Sequence, residues 1–188
     1  MTGPPSEEWA SLRIVVQGAS GSGKSSLATA LAAHLAIPRL ELDSIYHQPG
    51  WTSLDVVEFR RLVSEFAARS AWVVDGNYSQ VRDLLWSRAN IIAFVDLPRR
   101  VVMARLIKRT FRRMLRHEEL WNGNRESLRN LVSTDPARNI ILWSWLTHAK
   151  YHHVVPNEAR EQARQATVLT LQSSREVQTF LRNVRTFV

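Results

Sequence analysis

Five short apolar runs recur along the chain, with amphipathic stretches between most of them. Leu12–Gln17 (LRIVVQ) is dominated by β-branched residues and reads as a buried strand. Arg39–Leu42, Trp72–Val74, Ile91–Val95 and Thr167–Leu171 have the same character. Helical spacing fills the intervals. Lys24–Ala36 repeats Leu27, Leu31 and Leu35 every fourth residue before Pro38 stops it, and Asp55–Ser70 sets Val56, Phe59, Val63 and Phe66 on one stripe. Pro98 suits the first turn of a long helix to about Arg116. After a loop at Gly123, helical sequence runs from about Arg125 to His153 with a break near Asp135-Pro136, and Arg175–Arg185 predicts a closing helix.

Strands that are apolar throughout, rather than alternately apolar and polar, need cover on both faces. That requirement fits a parallel sheet between two helical layers. The pattern predicts an α/β fold of three layers with a five-stranded parallel sheet, residues 1–10 as a tail and 11–188 as one domain. Internal repeats and low-complexity tracts are lacking.

Composition narrows the chemistry. The 188 residues include no cysteine, which excludes disulfides, thiolate metal sites and cysteine nucleophiles. No apolar run is long enough to span a bilayer, and MTGPPSEEW lacks the apolar core of a secretory signal, so the expected compartment is the cytosol. Formal net charge is +8, and of the 25 cationic residues only Lys24, Lys108 and Lys150 are lysine. Arginine's planar fork grips phosphate and carboxylate oxygens in pairs, so the balance suggests phosphorylated ligands or nucleic acid, unless it reflects composition bias alone.

Glycine is scarce, seven in all, yet Gly18, Gly21 and Gly23 fall within six positions. Gly18-Ala19-Ser20-Gly21-Ser22-Gly23-Lys24-Ser25 satisfies G-x-x-x-x-G-K-[ST] between a predicted strand and a predicted helix. Glycines let successive N–H groups turn toward phosphate oxygens, and the following helix, with Ser26 in its first turn, offers its positive end. Lys24 is expected to reach the terminal phosphates of ATP, and Ser25 to offer its hydroxyl to Mg²⁺.

Three further groups carry candidate chemistry. Asp75 ends an apolar run ahead of Gly76 and Asn77, where a carboxylate would hold Mg²⁺ or its water shell and Gly76 leaves room for a ligand; Asp96 competes for that role or caps the helix at Pro98. Arg105, Arg109, Arg112 and Arg116 share one helix face, as a phosphate clamp or as a solvated stripe, with Glu118, Glu119 and Glu126 near enough to neutralise part of it. Asp43 closes the second strand and is expected to orient or deprotonate an acceptor hydroxyl, with His47, Gln48 and Trp51 lining the acceptor pocket; its alternative is a helix cap, and that of Trp51 is the core. His148, His152 and His153 lack the carboxylate or cysteine partners of a zinc site, and Trp143 and Trp145 read as packing.

The stretches GASGSGKSSLA, LELDSIYHQPGW, WVVDGNYSQVRDLLW, FVDLPRRVVMARLIKRT and ELWNGNRESL together resemble the nucleoside-monophosphate-kinase-like branch of the P-loop proteins. They are most similar to the small bacterial adenylate-kinase-related proteins called DNA topology modulation proteins, over about Arg13 to Leu181. The resemblance implies a P-loop NTPase fold with an Arg-rich helical lid at about 110–140. It implies that Arg105 and Arg109 grip the nucleotide phosphates and that Arg125 and Arg129 belong to the lid. Leu171-Gln-Ser173-Ser174 would cradle the adenine, and Asp75, Gly76, Asn77 and Arg82 would lie on the acceptor side. Where adenylate-kinase-like enzymes continue Phe-Pro-Arg, this chain has Asn77-Tyr78-Ser79, which speaks against AMP as acceptor.

The expected function is therefore an ATP- and Mg²⁺-dependent small-molecule or nucleotide kinase, monomeric or homodimeric and not membrane-bound. The competing expectation is a nucleotide-gated protein that sets its arginine face on nucleic-acid backbone.

Overall fold

The computed structural model describes residues 11–126, 133–136 and 139–187. The expected tail at 1–10, Arg129 and parts of the expected lid lie outside the described residues. β1 (Arg13–Gln17) passes through the glycine loop into α1 (Lys24–Leu35), β2 (Arg39–Glu41) and α2 (Leu42–Tyr46). A small antiparallel hairpin, β3 (His47–Gln48) and β4 (Thr52–Ser53), precedes α3 (Val56–Ala67). Then come β5 (Trp72–Asp75), α4 (Arg82–Trp86), β6 (Ile91–Val95) and α5 (Arg99–Leu115). Among the described residues beyond it are α6 (Ile140–Ala149), a π-helical turn over Lys150–Val154, α7 (Val155–Gln162), β7 (Thr167–Leu171) and α8 (Ser174–Asn183).

The five long strands form one parallel sheet in the order β2-β5-β1-β6-β7. Side-chain alternation sends each strand's apolar residues to both faces, and both are covered. Ile14, Val16, Val73, Ala93 and Val95 meet Leu27, Leu31 and Phe180 of α1 and α8. Val15, Val74, Ile92 and Phe94 meet Phe59 and Val63 of α3 together with Val155 and Ala159 of α7. Register aligns the carboxyl ends. Val16 and Glu41 both stand opposite Asp75, and Gln17 stands opposite Phe94. The chain leaves central β1 for one edge while β6 and β7 build the other, so a crevice opens at those ends beside the glycine loop.

Several boundaries differ from expectation. Asp55 lies outside α3 as its cap, its carboxylate accepting from the N–H groups of Val57 and Glu58 at 2.9 and 3.2 Å. Of the helical sequence expected from about Arg125, residues 127–132 lie outside the described residues; beyond the expected break at Asp135-Pro136, α6 begins at Ile140, capped by Asn139, and continues past His153 through the π turn to Gln162. Asp96 is not the cap of α5. Pro98 holds that position without a side-chain cap, and Asp96 pairs through Oδ2 with Nδ1 of His152 at 2.5 Å. Trp143 and Trp145 are about half exposed rather than core, and the Arg99 guanidinium lies 3.7 Å from the Trp145 ring centre. No described helix is long and apolar enough to cross a membrane.

Candidate active site

The glycine loop is fixed by contacts on three sides. Gly18 and Gly21 have φ of +147° and +90°, and added Cβ atoms would stand 2.5 Å from the Val95 carbonyl oxygen and 2.7 Å from that of Val102. The loop is thus pressed between the end of β6 and the first turns of α5, with no room for a side chain. Its carbonyls are turned to protein donors. Asn77 Nδ2 donates to the Gly18 carbonyl at 2.6 Å while Gly18 N–H donates back to Asn77 Oδ1 at 3.2 Å. Ser22 N–H donates to the Ala19 carbonyl at 3.1 Å, and buried Ser144 of α6 donates its hydroxyl to the Ser20 carbonyl at 3.0 Å. Arg105 reaches the Ser22 carbonyl at 3.4 Å. A loop whose carbonyls accept from outside presents the opposite polarity inward, where Lys24, Ser25 and Ser26 open α1; an anion is what such a concavity binds.

A cavity of about 510 Å³ extends from Gly21–Gly23 and Ser26. Arg105, Arg109 and Arg112 form its basic wall, and Leu27, Val95, Leu97, Val177 and Leu181 its apolar one. Ser173 does not turn into this space: its hydroxyl caps α8, accepting from Glu176 N–H at 3.1 Å and donating to the Glu176 carboxylate at 2.9 Å. Ser174 lines the cavity in its place and bonds Arg105 at 3.2 Å.

The arginine stripe divides by burial. Arg112 is 57% exposed and leans toward Glu118 at 3.7 Å. Arg113, off the stripe, takes Glu126 at 3.2 Å and Glu118 at 3.8 Å, and Arg125 takes Glu119 at 3.5 Å. The acidic neighbours therefore neutralise the far end of α5. Arg109 is largely buried, and its Nε has no hydrogen-bond partner among the described residues. Burial lowers its pKa, as does Arg113, while Glu126, Asp43 and Glu41 act the other way. The Nε atoms of Arg82, Arg99 and Arg113 are likewise buried without a hydrogen-bond partner among the described residues.

On the acceptor side, Asp43 accepts a 2.6 Å hydrogen bond from the Tyr78 hydroxyl, which stands 3.3 Å from His47 Nε2. Burial and the Asp43 charge push the Tyr78 pKa up, so the phenol keeps its proton and donates. His47 stacks on Trp121 with ring centres 5.8 Å apart and meets Trp51 edge-on at 5.3 Å. Burial lowers the His47 pKa against the opposing effect of Asp43. Trp51 is 36% exposed and is not part of the core.

Other residues expected on the acceptor side are engaged in protein contacts. The room expected beside Gly76 is filled: a Cβ there would lie 2.7 Å from Leu42 Cβ. Asn77 clamps Gly18. Arg82 pairs with Glu158 at 2.6 Å and lies 4.9 Å from the Trp86 ring centre. Asp75 is 1% exposed and held by Arg39 through Nε at 3.0 Å and Nη2 at 2.9 Å. As a hard oxygen donor beside the glycine loop it suits Mg²⁺, but Arg39 already neutralises it, which favours contact through a water shell over direct ligation. Residue spacing gave no signal for Ser144 or Trp121, because both arrive from elements distant in sequence.

No family model matches the chain. It is 29% identical over 102 residues to the uncharacterized protein YqaC of Bacillus subtilis (strain 168), a match covering 53% of this chain and 57% of that protein. The chain thus spans a little over half the length of this curated relative. Solved structures align over nearly the whole chain. A sugar kinase from Janibacter sp. HTCC2649 superposes with a TM-score of 0.53 at 20% identity, covering 94% of both chains. A gluconokinase from Sinorhizobium meliloti 1021 gives 0.51 at 21%, over 93% of this chain and 94% of that one. Shikimate kinase from Acinetobacter baumannii, in complex with shikimate, gives 0.52 at 17%, over 95% and 93%. The fold is that of the P-loop kinases. Within that fold the glycine loop and α5 line one cavity, and Glu41 and Asp43 at the end of β2 lie near enough to act on Arg109.

Proposed function

We propose that the protein is an ATP- and Mg²⁺-dependent kinase of a small hydroxylated metabolite or nucleotide. What chiefly supports this reading is the glycine loop, its carbonyls held from outside, opening into one cavity with Arg105 and Arg109, with the Asp43 charge acting on Arg109. The similarity in fold to a gluconokinase and a shikimate kinase is consistent with it.

In this reading, the N–H groups of Gly21–Ser26 and the Lys24 ammonium hold the phosphates, and the apolar wall at Leu27, Val177 and Leu181 takes the base. Ser25 would hold Mg²⁺ directly and Asp75 through water; the ion supplies charge neutralisation on the phosphate oxygens. Asp43 accepts the acceptor's hydroxyl proton as its oxygen bonds the γ-phosphorus, while the bond to the ADP oxygen breaks. Tyr78 holds the Asp43 carboxylate in place through its 2.6 Å bond. Arg109 faces the charge that spreads over the transferring group, and Arg105 anchors the loop.

The net charge of +8 favours the rival reading, a nucleic-acid binder. Against it, Arg109 is turned inward and Arg112 leans on Glu118, so the stripe is not a continuous exposed face. Incubation of the full chain with γ-labelled ATP and a panel of sugars, sugar acids, nucleosides and nucleotides tests the proposal. A labelled metabolite is the expected result. Steeply salt-dependent binding of DNA or RNA with no labelled product would favour the rival.

A further inference from the structure

A second cavity, of about 280 Å³, shares no lining residue with the one beside the glycine loop. The two are set apart by the segment that leaves β6. Val95 and Leu97 line the first cavity, whereas Asp96 between them lines the second. Further walls of the second come from His152 and His153 of the π turn, Asn157 and Arg160 of α7, and Thr170 of β7. None of these side chains has a part in holding ATP in the reading above.

The acid and the guanidinium of this cavity are held by different partners. The Asp96 side chain is 6% exposed and joined to His152 Nδ1 at 2.5 Å, while its main-chain N–H donates to the Leu171 carbonyl at 2.9 Å. That carboxylate is already engaged. Arg160 is exposed, and it donates from Nη1 to Asn157 Oδ1 at 2.9 Å and from Nη2 to Thr170 Oγ1 at 3.1 Å. Both acceptors are neutral. Glu158 of the same helix is taken by Arg82 at 2.6 Å, and Arg160 makes no ion pair among the described residues. A guanidinium has five N–H donors, so three of them remain for a ligand. The two bonds that it makes fix the plane of the fork in advance, which lowers the ordering cost of binding. A cation is the wrong ligand: among the described residues no group of three His, Asp or Glu side chains could hold a metal ion.

We propose that this cavity is a second binding site, one that takes a phosphate group with Arg160 as its anchor. The fork grips two phosphate oxygens as a pair. Asn157 and Thr170 hold it in place, and the exposed His153, edge-on to His152 with ring centres 4.1 Å apart, adds an imidazole at the mouth. Free phosphate and a phosphate monoester of a small metabolite present the same group to it. The site does not rest on the kinase reading, because it uses no residue of the first cavity.

Imidazole NMR of the full chain, at fixed pH and ionic strength, tests the site with inorganic phosphate and glycerol 3-phosphate as probes. The His152 and His153 resonances are expected to shift along a saturating curve, and the probe with the lower midpoint identifies the source of the phosphate group. Arg160→Gln, at an exposed position, is expected to raise that midpoint about tenfold or more. The glycine loop is itself an anion site, so Lys24→Ala serves as the control: it weakens the loop and is expected to leave the His152 and His153 response intact. Shifts that do not saturate with either probe, that sodium chloride reproduces, or that persist unchanged in Arg160→Gln would overturn the proposal. So would their loss in Lys24→Ala, which would trace the response to the glycine loop. The kinase reading would be untouched by any of these outcomes, since its own test is phosphoryl transfer.

Discussion

Lys24 and Arg109 make different demands on the same phosphates. Lys24 opens α1 at the end of the glycine loop, is partly exposed and belongs to neither core cluster. Lys24→Ala is therefore expected to abolish ATP binding in calorimetry while leaving thermal unfolding nearly unchanged. Arg109→Lys keeps the charge but loses the paired donors, so the expected loss is in kcat rather than in the KM for ATP, about a hundred- to a thousandfold. Arg112→Lys is the control, since that side chain is exposed and already leans on Glu118; steady-state kinetics should register little change. His47 offers a pH-dependent check. Burial lowers its pKa below the ordinary 6.5, so its neutral form is complete above that pH and is lost only as pH falls through the lowered value. The unfolded chain then binds the proton more readily, and stability falls on the acid side. NMR titration of the imidazole should give a midpoint below 6.5, and Asp43→Asn, which removes the opposing charge, should lower it further.

At the scale of elements, Gly76 joins β5 to the acceptor side and carries a prediction about packing. Its φ of +143° disfavours any side chain, and a Cβ would lie within 3 Å of two Leu42 carbons. Gly76→Ala is expected to destabilise the fold by about 1–3 kcal/mol, read by denaturant unfolding, through displacement of the buried Leu42 side chain. The same scale separates what the chain announces from what it conceals. All five sheet strands were legible, because buried parallel strands are written as uninterrupted apolar runs such as RIVVQ and IIAFV. The hairpin of β3 and β4 was not, since two-residue strands in HQPGWTS carry no periodicity. Nor was the π turn at Lys150–Val154, which carries the His152 that pairs with Asp96. The turn of the glycine loop between β1 and α1 and the shared face of Arg105, Arg109 and Arg112 could be read from spacing. Asn77, Ser173 and Gly76 were assigned to ligands from local sequence, whereas the first two bond the main chain and the third makes way for Leu42.

For the whole molecule, the sheet order sets the loop after β1 and the basic helix after β6 along one cavity, with the acidic segment after β2 near enough for Glu41 and Asp43 to act on Arg109. Each alone has an ordinary structural explanation. In the proposed reading they place cations and an anion around a terminal phosphate, and that reading is open to one direct comparison. Wild type and Asp43→Asn are brought to equal ATP occupancy and given the acceptor that the metabolite panel identifies, and labelled product is followed in time. The replacement keeps size and removes charge and basicity, so ATP affinity should be preserved while transfer falls by at least tenfold. Transfer within about threefold of wild type, roughly 0.65 kcal/mol of barrier, would contradict the assignment and leave Asp43 as no more than a partner for Tyr78.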